Sequence, residues 1–181
     1  MIQYPVGTLI LANVQKSIYT FVKNRVSGVI EPSSIIWRNQ SEPMPPRPCV
    51  TMKITEGPKR TGYQDNMVYS GTGTLFNVGG QRTMTVSFQV FGNTRIHRPM
   101  AYQLALDLNS ALSLQTVLDS LRVGGISVLT QGDPINITEL EETEYEERAQ
   151  FDVLFGLAQN VLDDPSAIET VGPIGQTIDP P

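Results

Sequence analysis

The chain has one cysteine, Cys49, and one histidine, His97, in 181 residues. A single thiol excludes an intrachain disulfide and any cysteine-based metal site, and it leaves the redox compartment open, compatible with a reducing cytosol. A single histidine removes most routes to hydrolytic or metal chemistry. A nucleophile–histidine enzyme would have to use His97, yet that residue lies in Arg95-Ile96-His97-Arg98-Pro99 and no nucleophile motif occurs elsewhere. A solvent-facing position between a strand and a helix is the better reading. No His/Asp/Glu spacing of a metal site is present either.

Long apolar runs are also missing. None approaches the ~20 residues needed to span a bilayer, so no membrane span is expected. The opening MIQYPVGTLILANV has no basic segment and no cleavage-site pattern, and no export signal is expected. Charge is scarce, at 17% of residues, where about a quarter is usual. Either neighbouring subunits cover part of the surface, or Ser, Thr, Asn and Gln simply take the place of charge. What charge exists is acidic: 18 Asp and Glu against 13 Lys and Arg, net −5. That argues against an outer surface that grips nucleic acid through its phosphates, although DNA can still pass nearby.

What is present is an ordinary globular core. Forty per cent of the residues are apolar, and a chain of this length buries roughly 70% of its unfolded surface as one domain. Val14, Ile18, Phe21, Val22 and Val26 form a stripe at 3.6 residues per turn, with Gly28 placed to stop the helix. Ile35-Ile36-Trp37 reads as a short strand, followed by the proline-rich connector EPMPPRP at 42–48. Cys49 to Thr55 alternates, with Val50, Met52 and Ile54 on one face. Gln81 to Gly92 alternates more clearly still, with Met84, Val86, Phe88 and Val90 facing one way. A helix is predicted over 99–112, with Ala101, Leu104, Ala105, Leu108 and Leu112 on one face. A third helix follows, with Ser113 as its cap and Leu114, Val117, Leu118 and Leu121 as its stripe. Ile126 to Thr130 and Arg148 to Leu157 are the last strands, the second showing Phe151, Val153, Phe155 and Leu157 on one side.

This order implies an α+β fold, a mostly antiparallel sheet with helices packed on one face. Residues 1–171 are expected to form one domain. Within it, residues 56–81 hold six glycines and few large apolar side chains. They read as a β-hairpin arm over about 57–80, with Tyr63, Met67, Tyr69, Leu75 and Phe76 as candidate contacts to another subunit; the plainer reading is a surface loop. The stretch GTGTLFNVGG lacks the GK[ST] ending and the strand–loop–helix setting of a phosphate loop, and no cofactor is expected. Residues 172–181, GPIGQTIDPP, read as a flexible tail ordered only when something else holds it.

Glu139, Glu141, Glu142, Glu144, Glu146 and Glu147 crowd six carboxylates into nine residues. General acid–base work needs one acid held in a tuned, apolar environment, whereas crowded carboxylates repel and prefer water. A solvated loop before the last strand is the plain expectation. The sharper one is electrostatic: repeated around a ring, such a patch repels DNA phosphates or seats a basic partner.

The segments TMTVSFQVFG (83–92), LQTVLDSLRVGGISV and EYEERAQFDVLFGLAQNVLDDPSAIETV, with IIWRNQSEPMPPRPCVTMKI before them, resemble the phage neck and tail-terminator proteins, also described as tail completion proteins. The resemblance covers roughly residues 13–171 and is sharpest at YEERAQFDV and the following DDPSAIE. It implies a non-enzymatic virion protein, built in the host cytoplasm. Such proteins form a hexameric ring on the tail tube, stop tube polymerisation and join the tail to the head-side connector, with DNA passing through the lumen during ejection. The implied partners are further copies of the chain, tube and sheath proteins, and connector proteins, with transient non-specific DNA passage and no membrane. In that setting the six glutamates would face the lumen or a ring interface, and Ile174, Ile178 and Pro180 of the tail would bind a neck partner. Another neck ring, connector or stopper, and an unrelated α+β binding module remain as alternatives.

Overall fold

The computed structural model describes residues 9–38, 43–62, 65–69, 75–92, 100–141 and 144–163. Three helices and one large sheet make an α+β architecture. Helix α1, Leu11–Val26, buries the five residues of the predicted stripe and ends with Lys23 and Arg25 in its last turn, where cations favour the helix dipole. Strand β1, Ile35–Trp37, follows a short 3-10 turn. Then come β2, Cys49–Arg60; β3, Asn66–Tyr69; and β4, Phe76–Phe91. Helices α2, Met100–Ala111, and α3, Gln115–Val123, precede β5, Ile126–Gln131, and β6, Ile135–Asn136. Short strands β7, Glu139–Glu141, and β8, Glu144–Glu146, lead into β9, Arg148–Asp163.

The main sheet runs β1-β2-β4-β9-β5, with β3 also on β4 and β6 also on β9. Among the described residues only β1 and β2 pair in parallel; the other ladders are antiparallel. Its spine is the uninterrupted β4–β9 ladder, from Phe76 opposite Asp163 to Phe91 opposite Arg148. Alternation then decides the faces. Met84, Val86, Phe88 and Val90 of β4 and Phe151, Val153, Phe155 and Leu157 of β9 join Val50 and Met52 in one buried cluster with the helices. Phe88 stacks on its cross-strand partner Phe151 at 4.9 Å and meets Phe155 edge-on at 6.5 Å. Ala101 and Ala105 are fully buried, and their small side chains let α2 lie close against the sheet.

Four expectations need correction. Ser113 does not cap α3: the cap is Leu114, without a side-chain bond. The backbone N–H groups of Ser113 and Leu114 bond instead to Ser110 and Ala111, so α2 runs through a tight turn almost directly into α3. The predicted stripe of α3 is mostly peripheral, since only Leu121 is buried there and Leu114 is exposed. The acidic run is not a plain loop either. Period-two alternation, Glu-Leu-Glu and Glu-Tyr-Glu, pairs β7 with β8 as a separate hairpin, with Glu139 opposite Glu146 and Glu141 opposite Glu144. Strands β4 and β9 also run past their predicted ends, to Phe76 and Asp163. Core periodicity stops at Met84 and Leu157, but backbone pairing does not depend on burial.

Candidate functional site

Beyond Met84 on β4 and Leu157 on β9, no described residue of either strand is buried. Here β4 and β9 carry β3 into a three-stranded extension past the helix layer. All four β3 residues are exposed, Met67, Val68 and Tyr69 at 58%, 61% and 55%. Tyr69 packs edge-on against Phe76, 5.8 Å between ring centres, and Leu75 and Phe76 are half-buried. The expected arm is thus a sheet extension with an apolar edge; Val68 belongs to that edge although its sequence context did not single it out, and Tyr63 lies outside the described residues.

A charged clamp fixes the base of this extension. Arg82 donates to both carboxylate oxygens of Asp65, at 2.8 and 2.7 Å, and Arg60 approaches the same carboxylate at 3.7 Å. The bond from Arg82 holds the Asp65 carboxyl below its usual range, with Arg60 adding to the effect, and the same bond raises the Arg82 guanidinium. Gly80 makes room for this pair, because a Cβ there would collide with Asp65 Oδ1. On the neighbouring strand, Lys59 donates to Glu56 at 2.7 Å and lowers that exposed carboxyl as well.

The six glutamates separate into different environments. Glu147 Oε1 accepts a bond of 2.8 Å from the Ala101 N–H, at the first turn of α2. No acidic residue lies in that turn itself, so Glu147 supplies the negative charge from the junction between β8 and β9, distant in sequence. Gly92 leaves the space that this side chain crosses. Glu146 pairs with Arg47. The backbones of Glu139, Glu141 and Glu144 form the β7–β8 hairpin. Their side chains lie outside the description, as do Glu142, His97 and the tail residues Ile174, Ile178 and Pro180.

The sheet face away from the helices carries a second constellation. Phe91 is only 2% exposed, yet it lies outside the main core. The guanidinium carbons of Arg148, Arg47 and Arg38 stand 5.2, 5.8 and 6.0 Å from its ring centre. Cys49 is paired with Phe91 across the ladder, and burial, only partly offset by Arg47, pushes its thiol up to about 11. Gln89 Oε1 accepts from both Arg38, at 2.7 Å, and Arg148, at 2.8 Å, while its amide nitrogen donates to Gln150. These residues come from four segments of the chain, around 38, 47–49, 89–91 and 148–150, and no sequence motif marks them. Thr51 and Ser87, further along this face, are buried with hydroxyls that have no partner among the described residues.

Among the described residues no three His, Cys, Asp or Glu side chains are grouped to hold a metal. The depression between β4, β5 and β9, about 320 Å³, is lined by Thr83, Arg122, Ile126, Ser127 and Leu157 among others, without a paired nucleophile and base. No described helix is long and apolar enough to cross a membrane.

The family match places the chain among the structural proteins of bacteriophages. It belongs to the phage neck terminator protein family, whose model matches residues 13–180, nearly the whole chain. No curated protein matches it. As a neck protein it is a virion component that associates with other proteins of the phage head and tail.

Proposed function

We propose that the chain assembles, most simply as a homohexamer, into a ring that caps the tail tube, ends tube polymerisation and joins the tail to the head-side connector. DNA leaves through the lumen. The observation that carries this reading is the β3–β4–β9 extension, which presents Met67 and Val68 in solvent on a strand that pairs with β4 alone among the described residues. An exposed apolar edge is a liability unless a partner covers it, and a neighbouring subunit or the tube is the natural cover. One heterologous contact repeated around an axis closes a ring.

In that ring, Glu139, Glu141, Glu142 and Glu144 line the lumen or a subunit joint. Residues 173–181, with Ile174, Ile178 and Pro180, engage a neck partner. Glu146 and Glu147 also hold contacts within the subunit. Negative-stain imaging of the purified chain tests the assembly: six-fold rings support it, and a compact monomer at all concentrations removes it. Deleting 173–181 should leave a folded chain that fails to join heads to tails, whereas wild-type virion yields would sink the role of the tail. Reversing Glu141, Glu142 and Glu144 to Lys should impair ring formation or DNA release; unchanged infectivity would remove their electrostatic part.

A further inference from the structure

Among the described residues, the arginine cluster over Phe91 carries more positive charge than its carboxylate partners balance. Arg47 has a carboxylate partner in Glu146. Arg38 and Arg148 have none within 4 Å among the described residues; both donate to one neutral oxygen, Gln89 Oε1. That shared acceptor holds two guanidinium groups close together, against their mutual repulsion. The Arg148 Nε is buried and without a partner, although donors of this kind are normally satisfied. Arg38 and Arg47 are exposed and Arg148 half-buried, so the cluster is open to solvent on one side. Phe91 beneath them holds all three groups within cation–π reach of its ring, which limits the freedom each would lose on pairing.

We infer that Arg38 and Arg148, braced by Gln89 and Phe91, form a docking point for a carboxylate on an acidic segment of a neighbouring protein in the assembly. Planar guanidinium groups match a carboxylate bidentately. The surroundings select a protein carboxylate over nucleic acid. Glu146 is paired into the cluster, and the rest of the acidic run, Glu139 to Glu147, adjoins it in sequence. A phosphate backbone carries a charge every few ångströms along its whole length and is repelled repeatedly by an acidic surface, whereas a single carboxylate needs only the two guanidinium groups. The inference rests on the chain working inside a multi-protein neck, but the site itself is a property of the single subunit.

The test is fluorescence anisotropy of the purified full chain with a labelled hexaglutamate peptide at low ionic strength, competed with short duplex DNA and with inorganic phosphate. The peptide should bind, shift the Gln89 side-chain amide resonances, and bind at least about tenfold more weakly to the Arg38→Gln/Arg148→Gln variant, tenfold being about 1.4 kcal/mol. Lys53→Gln, which removes a positive charge elsewhere on the same sheet face, should leave binding nearly unchanged. Should the double variant fail to fold, Arg38→Gln alone, at an exposed turn, must still weaken binding. No peptide binding, an equal loss with Lys53→Gln, or tighter binding of duplex DNA would overturn the assignment. A six-fold ring with no peptide binding removes this site and leaves the ring. Peptide binding by a strict monomer does the reverse.

Discussion

Single side chains in this protein are often held by residues far away in the chain. Cys49 is fully buried beside Phe91, and its thiol is raised to about 11 by burial. The native thiol should therefore resist a thiol reagent at pH 8 and react fully only in denaturant; rapid native labelling would contradict the burial. The sign for stability follows. An unfolded thiol titrates near 8.5, so the protonated native thiol contributes fully below that value, and the contribution is lost as pH rises from about 8.5 towards 11. Glu147 is the second such residue. Glu147→Ala removes the acceptor at the start of α2 and should cost about 1 kcal/mol in urea unfolding, as loss of a helix cap does. An unchanged midpoint would show the contact to be neutral.

At the scale of elements, the sheet extension depends on its clamp. Strand β3 has no buried residue, so its place on β4 rests on backbone pairing, the Tyr69–Phe76 contact and the Asp65–Arg82 pair at its root. Asp65→Asn, or Gly80→Ala, which pushes a methyl group into Asp65, should raise amide exchange across 66–69 and 76–79 severalfold while barely moving the global unfolding midpoint. Acid should act like Asp65→Asn. The Asp65 carboxyl is held below its usual value, so its contribution is present above about pH 4 and disappears as pH falls through the lower native value. The Asn variant should lose this pH dependence, which a carboxyl-detected titration of both proteins would check.

For the whole molecule, stability is concentrated where β4 and β9 meet the helices. Phe88 is fully buried between Phe151 and Phe155. Phe88→Ala should lower unfolding free energy by about 3–5 kcal/mol, a large share of the roughly 5–15 kcal/mol typical of a domain. In denaturant the midpoint should drop with little change in slope; a drop under about 1 kcal/mol would place the core elsewhere. The extension and the arginine-lidded face lie outside that cluster, so changes at either should alter assembly before they alter folding.

Much of this was written in local patterns. The stripe Val14-Ile18-Phe21-Val22-Val26 and the alternations Met84 to Val90 and Phe151 to Leu157 specify α1, β4 and β9, because burial on one face imposes periods of 3.6 and 2 that a sequence displays directly. The family resemblance lay partly in these strands and was sharpest at YEERAQFDV and DDPSAIE, and the family model matches residues 13–180. The ends of β4 and β9, the hairpin within the glutamate run and the failed Ser113 cap were not legible, since they depend on pairing partners and turn geometry rather than on burial. The contact sites were least legible of all. Arg38, Gln89, Phe91 and Arg148 share no motif and meet only because β1, β2, β4 and β9 bring their ends together on one sheet face. Periodicity determined the layers by itself; only the tertiary structure decided which charges became neighbours, because ion pairs form through space while patterns are read along the chain.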